Sequence, residues 1–279
     1  MKQDFTRGLA VAYQSACMAE LQAIKPGNVH VFADGHGMTV HDFIKSADVT
    51  ANVIVTPDYT VGERVFYAVR ATKNAVGQNT NLGLLLLCAP LAHAELVRSE
   101  RQDLQTALSH TLSQLDSRDA SLVAQSILMA NPGGLGYAVA HDVRDDVKIG
   151  LLEMMRYAQQ KDRIAWQYAN QFNDVLEFGL TRYKAAMNKW QNAAWATTAL
   201  YLAFLTLHPD THVVRKHGVL VAQQLMDEAL GFEADYWTFD NPKLIQKRLL
   251  DWDHSLKQRG INPGTSADLV VATLFVANM

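Results

Sequence analysis

Apolar residues recur at three- and four-residue intervals along most of the chain, and polar residues gather in short islands between the runs. Leu9, Tyr13, Ala16, Ala19, Glu20 and Ala23 share one face of a first helix, which Pro26 ends. Residues 41–54 predict a second helix, with Thr39 at its N-cap and Pro57 beyond its end. Residues 60–76 predict a third, opened by Thr60 and Glu63 in capping-box spacing. Residues 82–97 are apolar all round, the pattern of a helix buried on every side. Amphipathic stretches follow at 101–115 and 118–130. After a glycine-rich turn come helices at 146–159, 161–178, 181–207, 212–230, 241–258 and 266–278. No stretch sustains strand alternation, and Val29-His30-Val31-Phe32 is too short to count. The prediction is an all-α fold, one compact domain over residues 1–279 with roughly ten or more helices. No Ser/Gly/Pro-rich linker divides it, and no repeat at a 30–45-residue period suggests a solenoid.

Composition narrows the function classes. At 49% apolar and 19% charged residues the chain reads as globular, and its net charge of −3 offers no polyanion-binding signature. Nucleic acid is therefore not an expected partner. Cys17 and Cys88 are far apart and lack CxxC spacing, so they read as reduced, buried thiols. The start of the chain lacks a signal-peptide apolar core, and the run from Leu82 to Leu91 is short of the ~20 residues of a membrane span. A cytoplasmic protein without membrane contact is expected. The apolar stretch 190–207, with Trp190, Trp195, Tyr201 and Phe204, reads as core more than interface, and a homodimer stays open.

The polar islands carry the candidate chemistry. Lys25-Pro26-Gly27-Asn28-Val29-His30 and Gly260-Ile261-Asn262-Pro263-Gly264-Thr265-Ser266-Ala267-Asp268 are sharp loops that expose backbone N–H groups. Glu20, one turn before the first loop on an apolar face, suits either a metal or an ion pair with Lys25. Asn79-Thr80-Asn81 precedes the apolar helix; Thr80 or Asn81 would cap it, leaving amides for a ligand. Asn131-Pro132-Gly133-Gly134-Leu135-Gly136 matches neither dinucleotide nor P-loop fingerprints, and Asp142, Arg144, Asp145 and Asp146 beyond it would hold Mg²⁺ or charge a helix start. In Asp210-Thr211-His212-Val213-Val214-Arg215-Lys216, cations stand near a helix start, against the macrodipole, which points to an anionic ligand. Asp268 opens the last helix as a metal, substrate or end-of-helix carboxylate. Carboxylates for Mg²⁺, with lysine, arginine and amides for phosphates, suit a nucleotide or polyphosphate held through metal. No Ser-His-Asp, Cys-His or zinc array accompanies them.

Five ordered motifs resemble the triphosphoribosyl-dephospho-CoA synthase family: Lys25–His30, Gly77-Gln78-Asn79-Thr80-Asn81-Leu82-Gly83, Pro132–Gly136, Asp210–Lys216 and Asn262–Leu269. The resemblance implies an all-α transferase that displaces adenine from ATP and joins the triphosphoribosyl group to a hydroxyl of a cofactor precursor such as dephospho-CoA. It also implies Mg²⁺ on Glu20, Asp210 or Asp268, and substrate contacts from Lys25, Gly27, Asn28, Asn79, Thr80, Asn81, Arg215, Lys216 and Asn262. Glu20, His30, His212 and Asp268 form the candidate catalytic set, with His30 or His212 as general base. Two motifs depart from the family: His30 stands where an Asp is usual, and Asn81-Leu82 where His-Lys is usual. Those departures keep open an acceptor in tetrahydromethanopterin biosynthesis, with α-ribosyl phosphate transfer, or a non-catalytic nucleotide-binding protein.

Overall fold

A computed structural model of the chain describes residues 2–132 and 148–279. These residues are overwhelmingly helical, and among them the only strand-like pairings are two isolated bridges, His30 with Ala33 and Gly35 with Met38. Gly133, Gly134, Leu135, Gly136, Asp142, Arg144, Asp145 and Asp146 lie outside the described residues. Close contacts gather the helices into two compact units, each assembled from separated stretches of chain.

The first unit holds the start of α1 (Lys2–Gln22), most of α2 (Val40–Ile54), and α3 (Val61–Val76), α4 (Leu82–Val97), α5 (Leu104–Ser113), α6 (Ser117–Ala130), α7 (Leu151–Ala158) and α8 (Arg163–Ala169). Thr60 and Glu63 form the expected capping box on α3. Thr39 precedes α2, whose first amide, Val40 N, donates to Asp34 Oδ1 at 2.9 Å. Gly62 lets α3 lie directly on α6: a Cβ there would meet the Asp119 backbone, and the Gly62 amide donates to Asp119 Oδ1 at 2.7 Å. Arg64, fully buried, closes the α2–α3 turn by donating to the carbonyls of Ile54 and Pro57.

The apolar α4 is buried over most of its length, as its sequence implies, yet Pro90 lies inside it. Proline has no N–H, so the Leu86 carbonyl one turn back loses its helical donor. The Tyr168 hydroxyl fills that gap, donating to Leu86 O at 2.6 Å from a fully buried ring. Burial and the nearby Asp119 and Cys88 push this phenol far above its usual range, which keeps it a donor.

The second unit takes the end of α1, a π-helix (Asp174–Gly179), α9 (Leu180–Trp190), α10 (Ala193–Leu207), α11 (Thr211–His217), α12 (Val219–Thr238), α13 (Gln246–Gln258) and α14 (Gly264–Ala277). The stretches expected as single helices over 181–207 and 212–230 are each divided. Gln191 turns left-handed at φ 49° and Asn192 caps a new helix by accepting from Trp195 N. Gly218, at φ 87° and ψ 165°, occupies backbone space open essentially to glycine alone and restarts the chain as α12. The expected 161–178 helix also breaks, at left-handed Gln171 and Phe172. Residues 241–258 open with a separate 3₁₀ turn at Pro242–Leu244 before α13 begins. The core of this unit is α10 with α14, both apolar and both buried. Gly179 allows the π-helix against α14, since a Cβ would strike Thr273 Oγ1.

Replacing Tyr168 by Phe leaves the Leu86 carbonyl buried without a donor. We expect a loss of about 1–3 kcal/mol, read from urea unfolding at unchanged helicity.

Candidate functional site

Lys25 organises the first polar loop. Its Nζ is fully buried and donates to the Glu20 carboxylate, to Asn28 Oδ1 at 3.0 Å and to Val29 O at 2.7 Å. Burial pushes Lys25 below the ordinary lysine range and Glu20 above the ordinary carboxylate range, while their mutual contact works to keep both charged. Asp268, half-buried in the opening turns of α14, adds to the field that favours the Lys25 charge.

The two terminal loops meet. Gly27, left-handed at φ 84°, has no room for a side chain: a Cβ would lie 2.8 Å from Pro263 Cδ and 3.0 Å from Ile261 O. Asn28 Nδ2 donates to Asn262 Oδ1 at 2.8 Å, with both residues buried. Tyr201 of α10 donates its hydroxyl to Pro26 O at 2.8 Å.

Asp253 of α13, which the motifs do not include, holds this loop from the other side. Its Oδ1 accepts from Gly27 N at 2.8 Å and lies 3.4 Å from His30 Nε2, while Oδ2 accepts from Lys257 at 3.0 Å. Burial acts to raise the Asp253 carboxyl, but His30 and Lys257 outweigh it and hold it below its usual range. His30 is fully buried; its Nδ1 accepts from Phe32 N at 3.3 Å, and burial keeps the ring neutral.

Asp210 joins α11 to α14. One oxygen caps α11 by accepting from His212 N and Val213 N, and the other accepts from Ser266 N and Oγ, both at 2.8 Å. Four donors fill the acceptor positions of one carboxylate. Burial raises its pKa against those hydrogen bonds. The His212 ring packs on Gly264, where a Cβ would collide with Nδ1. Burial, then Lys216, Arg215, His36 and His217, push the His212 pKa down to about 3. Arg215 is half-buried and Lys216 exposed.

In the first unit, Asn79 rather than Thr80 or Asn81 caps α4, accepting from Leu82 N at 3.1 Å. Thr80 pairs instead with Ser46, and Asn81 is buried as the backbone N-cap without a side-chain capping bond. Leu82, at the position of the usual family lysine, is buried.

The structure thus brings Glu20, Lys25, Gly27, Asn28, His30, Asn262 and Asp268 to one neighbourhood of the second unit, with Asp210, His212, Arg215 and Lys216 on the adjoining α11. Missed by the motifs were Asp253, Lys257 and His36. The first two are four residues apart on an amphipathic helix and read as a solvated pair. His36 had a signal, the Gly35-His36-Gly37 turn. Among the described residues no group of three His, Cys, Asp or Glu converges as a metal shell. Glu20 is taken by Lys25 and Asp210 by four donors, so these carboxylates do not fit a resident metal as they stand.

A family model, CitG: ATP:dephospho-CoA triphosphoribosyl transferase, matches residues 6–279. The Archaeoglobus fulgidus protein described as "putative triphosphoribosyl-dephospho-coA synthase", known from a crystal structure, superposes with a TM-score of 0.65 at 24% identity, over 83% of this chain and 96% of that chain. At that identity the likeness shows a shared fold. No curated protein matches the chain.

With a pKa near 3, His212 is expected to remain neutral throughout the mildly acidic range. Its ring resonances in a histidine-edited NMR titration should stay constant from neutral pH down to about 5, where an ordinary histidine has charged.

Proposed function

Because the chain belongs to the ATP:dephospho-CoA triphosphoribosyl transferase family, we propose that it transfers the triphosphoribosyl group of ATP to the 2′-hydroxyl of dephospho-CoA and releases adenine. The observation that carries this reading at the level of residues is the gathering of His36, His212, Arg215, Lys216 and Lys257 around the Gly27 and Gly264 turns. Arg215 and Lys216 add positive charge there, Lys257 is paired with Asp253, and an anion is favoured beside the two on α11.

Lys216, exposed, and Arg215, half-buried beside it on α11, receive the triphosphate. Mg²⁺ arrives as the counter-ion of ATP, part of the substrate, with Asp268 as the carboxylate on the protein side. As the bond from C1′ to adenine lengthens, positive charge grows on the ribose, and the triphosphate's own charge lies beside it. Glu20 serves by keeping Lys25 and its loop in place. Asn28 and Asn262, locked to each other, hold the two loops together at their junction. Catalysis in this reading is positioning and charge stabilisation in a preorganised site.

Purified protein with MgATP and dephospho-CoA is expected to release adenine, read by chromatography, only when the acceptor is present. Arg215→Ala and Lys216→Ala should each lower kcat/KM for ATP by about 10- to 100-fold, the size of a lost charge-assisted hydrogen bond. Adenine release without an acceptor would identify a glycosidic hydrolase, and a MgATP-dependent rise in melting temperature without release would identify a binding protein. Release with a ribitol-bearing pterin precursor but not with dephospho-CoA would move the acceptor and keep the donor.

A further inference from the structure

We propose that His36 is the general base of the transfer, its Nδ1 taking the proton of the acceptor hydroxyl while the Gly27 carbonyl holds Nε2. This inference rests on the transfer reading above.

Of the other candidates, Glu20, Asp210, Asp253 and His30 are occupied, and Asp268 is already given to the Mg²⁺ of the substrate. Glu20 is bound to Lys25. Asp210 accepts four hydrogen bonds, and Asp253 is committed to Gly27 N, Lys257 and His30. His30 has no exposure, with one ring nitrogen on Phe32 N and the other facing Asp253. His212 lies among Lys216, Arg215, His36 and His217, which oppose protonation of its ring.

His36 differs in its hydrogen bonding. Its Nε2 is 2.8 Å from Gly27 O. A carbonyl only accepts, so Nε2 carries the hydrogen, and in the neutral ring the lone pair is left on Nδ1. One nitrogen fixed by a backbone acceptor and the other basic is the arrangement of an oriented general base. The residue is half-buried, not sealed.

Its backbone supplies a second, independent observation. His36 is left-handed at φ 58°, next to Gly37 at φ 74°, in a turn closed by Gly35 N to Met38 O and Met38 N to Gly35 O. A glycine or asparagine would fill that position with less strain, so the turn itself does not call for an imidazole.

The charged groups facing His36 are Lys216 from α11 and Lys257 and Asp253 from α13, with His212 beyond. Burial, then Lys216 and Lys257, hold its pKa below the usual 6.5 against the pull of the Gly27 carbonyl and Asp253. The ring is therefore neutral at pH 7 and ready to accept. In the step, the hydroxyl proton passes to Nδ1, the new bond forms between the acceptor oxygen and C1′, and the bond from C1′ to N9 breaks with its electron pair going to adenine. Adenine takes up one proton, so the net movement is one proton from hydroxyl to adenine.

The test is adenine release by wild type, His36→Gln and His36→Asn. Glutamine keeps a donor for Gly27 O, and asparagine tolerates the left-handed backbone. Both should fold with the wild-type MgATP-dependent melting shift and lose kcat by about 10²- to 10⁴-fold with KM for ATP changed less than about threefold. The wild-type kcat/KM should fall on the acid side with an inflection below 6.5, and that limb should vanish in both variants. His217→Ala, which removes a similarly oriented but exposed imidazole on Gly260 O, should retain activity. Turnover within about threefold of wild type in either folded His36 variant, or an unchanged acid limb, overturns the assignment alone. No adenine release from wild type overturns the transfer reading and the assignment with it.

Discussion

A lysine ammonium without solvent sets the terms for the second unit. A buried charge is costly unless opposite charge and acceptors surround it, and Lys25 obtains both within five residues of chain: Glu20, Asn28 Oδ1 and Val29 O. Meeting that requirement turns the loop so that nearly every other group in it has one possible use. Asn28 spends its oxygen on Lys25, so its amide is left for Asn262. Gly27, forced left-handed between Pro26 and Asn28, points its N–H at Asp253 and its carbonyl at His36. The site geometry is thus downstream of one solvation problem.

Much of this was legible from residue order. Helix periodicity gave the all-α class, and the boundaries of 60–76 and 82–97 matched α3 and α4 because capping and apolar runs leave clear marks. The divisions within 181–207 and 212–230 were not legible, because one residue carries each: a left-handed Gln191 and a Gly218 inside unbroken apolar periodicity. The same limit applied at the site. The Lys25, Asn262 and Asp210 motifs stand out as polar islands, whereas Asp253 and Lys257 acquire meaning only when α13 packs against a loop more than two hundred residues earlier. Pro90 is the converse case. Its cost was visible in sequence, but the remedy, a tyrosine hydroxyl 82 residues along the chain from the Leu86 carbonyl, was not.

Three imidazoles in one unit are separated by environment, not by chemistry. His30 is enclosed with an aspartate, His212 is surrounded by cations, and His36 is half-open on a carbonyl. Burial lowers the pKa of all three. His30 and His36 differ in which nitrogen retains a lone pair that is not already spoken for. That is a property of hydrogen-bond geometry, and a pKa by itself would not distinguish a sealed neutral histidine from a working one.

The departure at His30 follows from the same geometry. An aspartate at that position would set a second carboxylate against Asp253, whose Oδ1 lies 3.4 Å from the present imidazole. Two carboxylates at that range do not both stay ionised. One would protonate or turn away, and Gly27 N and Lys257 would lose the charge that holds them. Histidine at 30 therefore suits aspartate at 253 in this chain: the neutral ring sets no second negative charge beside the carboxylate and does not compete for Lys257. The substitution at 30 is in this sense a change in how the loop is fastened, and the acceptor hydroxyl does not need to meet residue 30 at all.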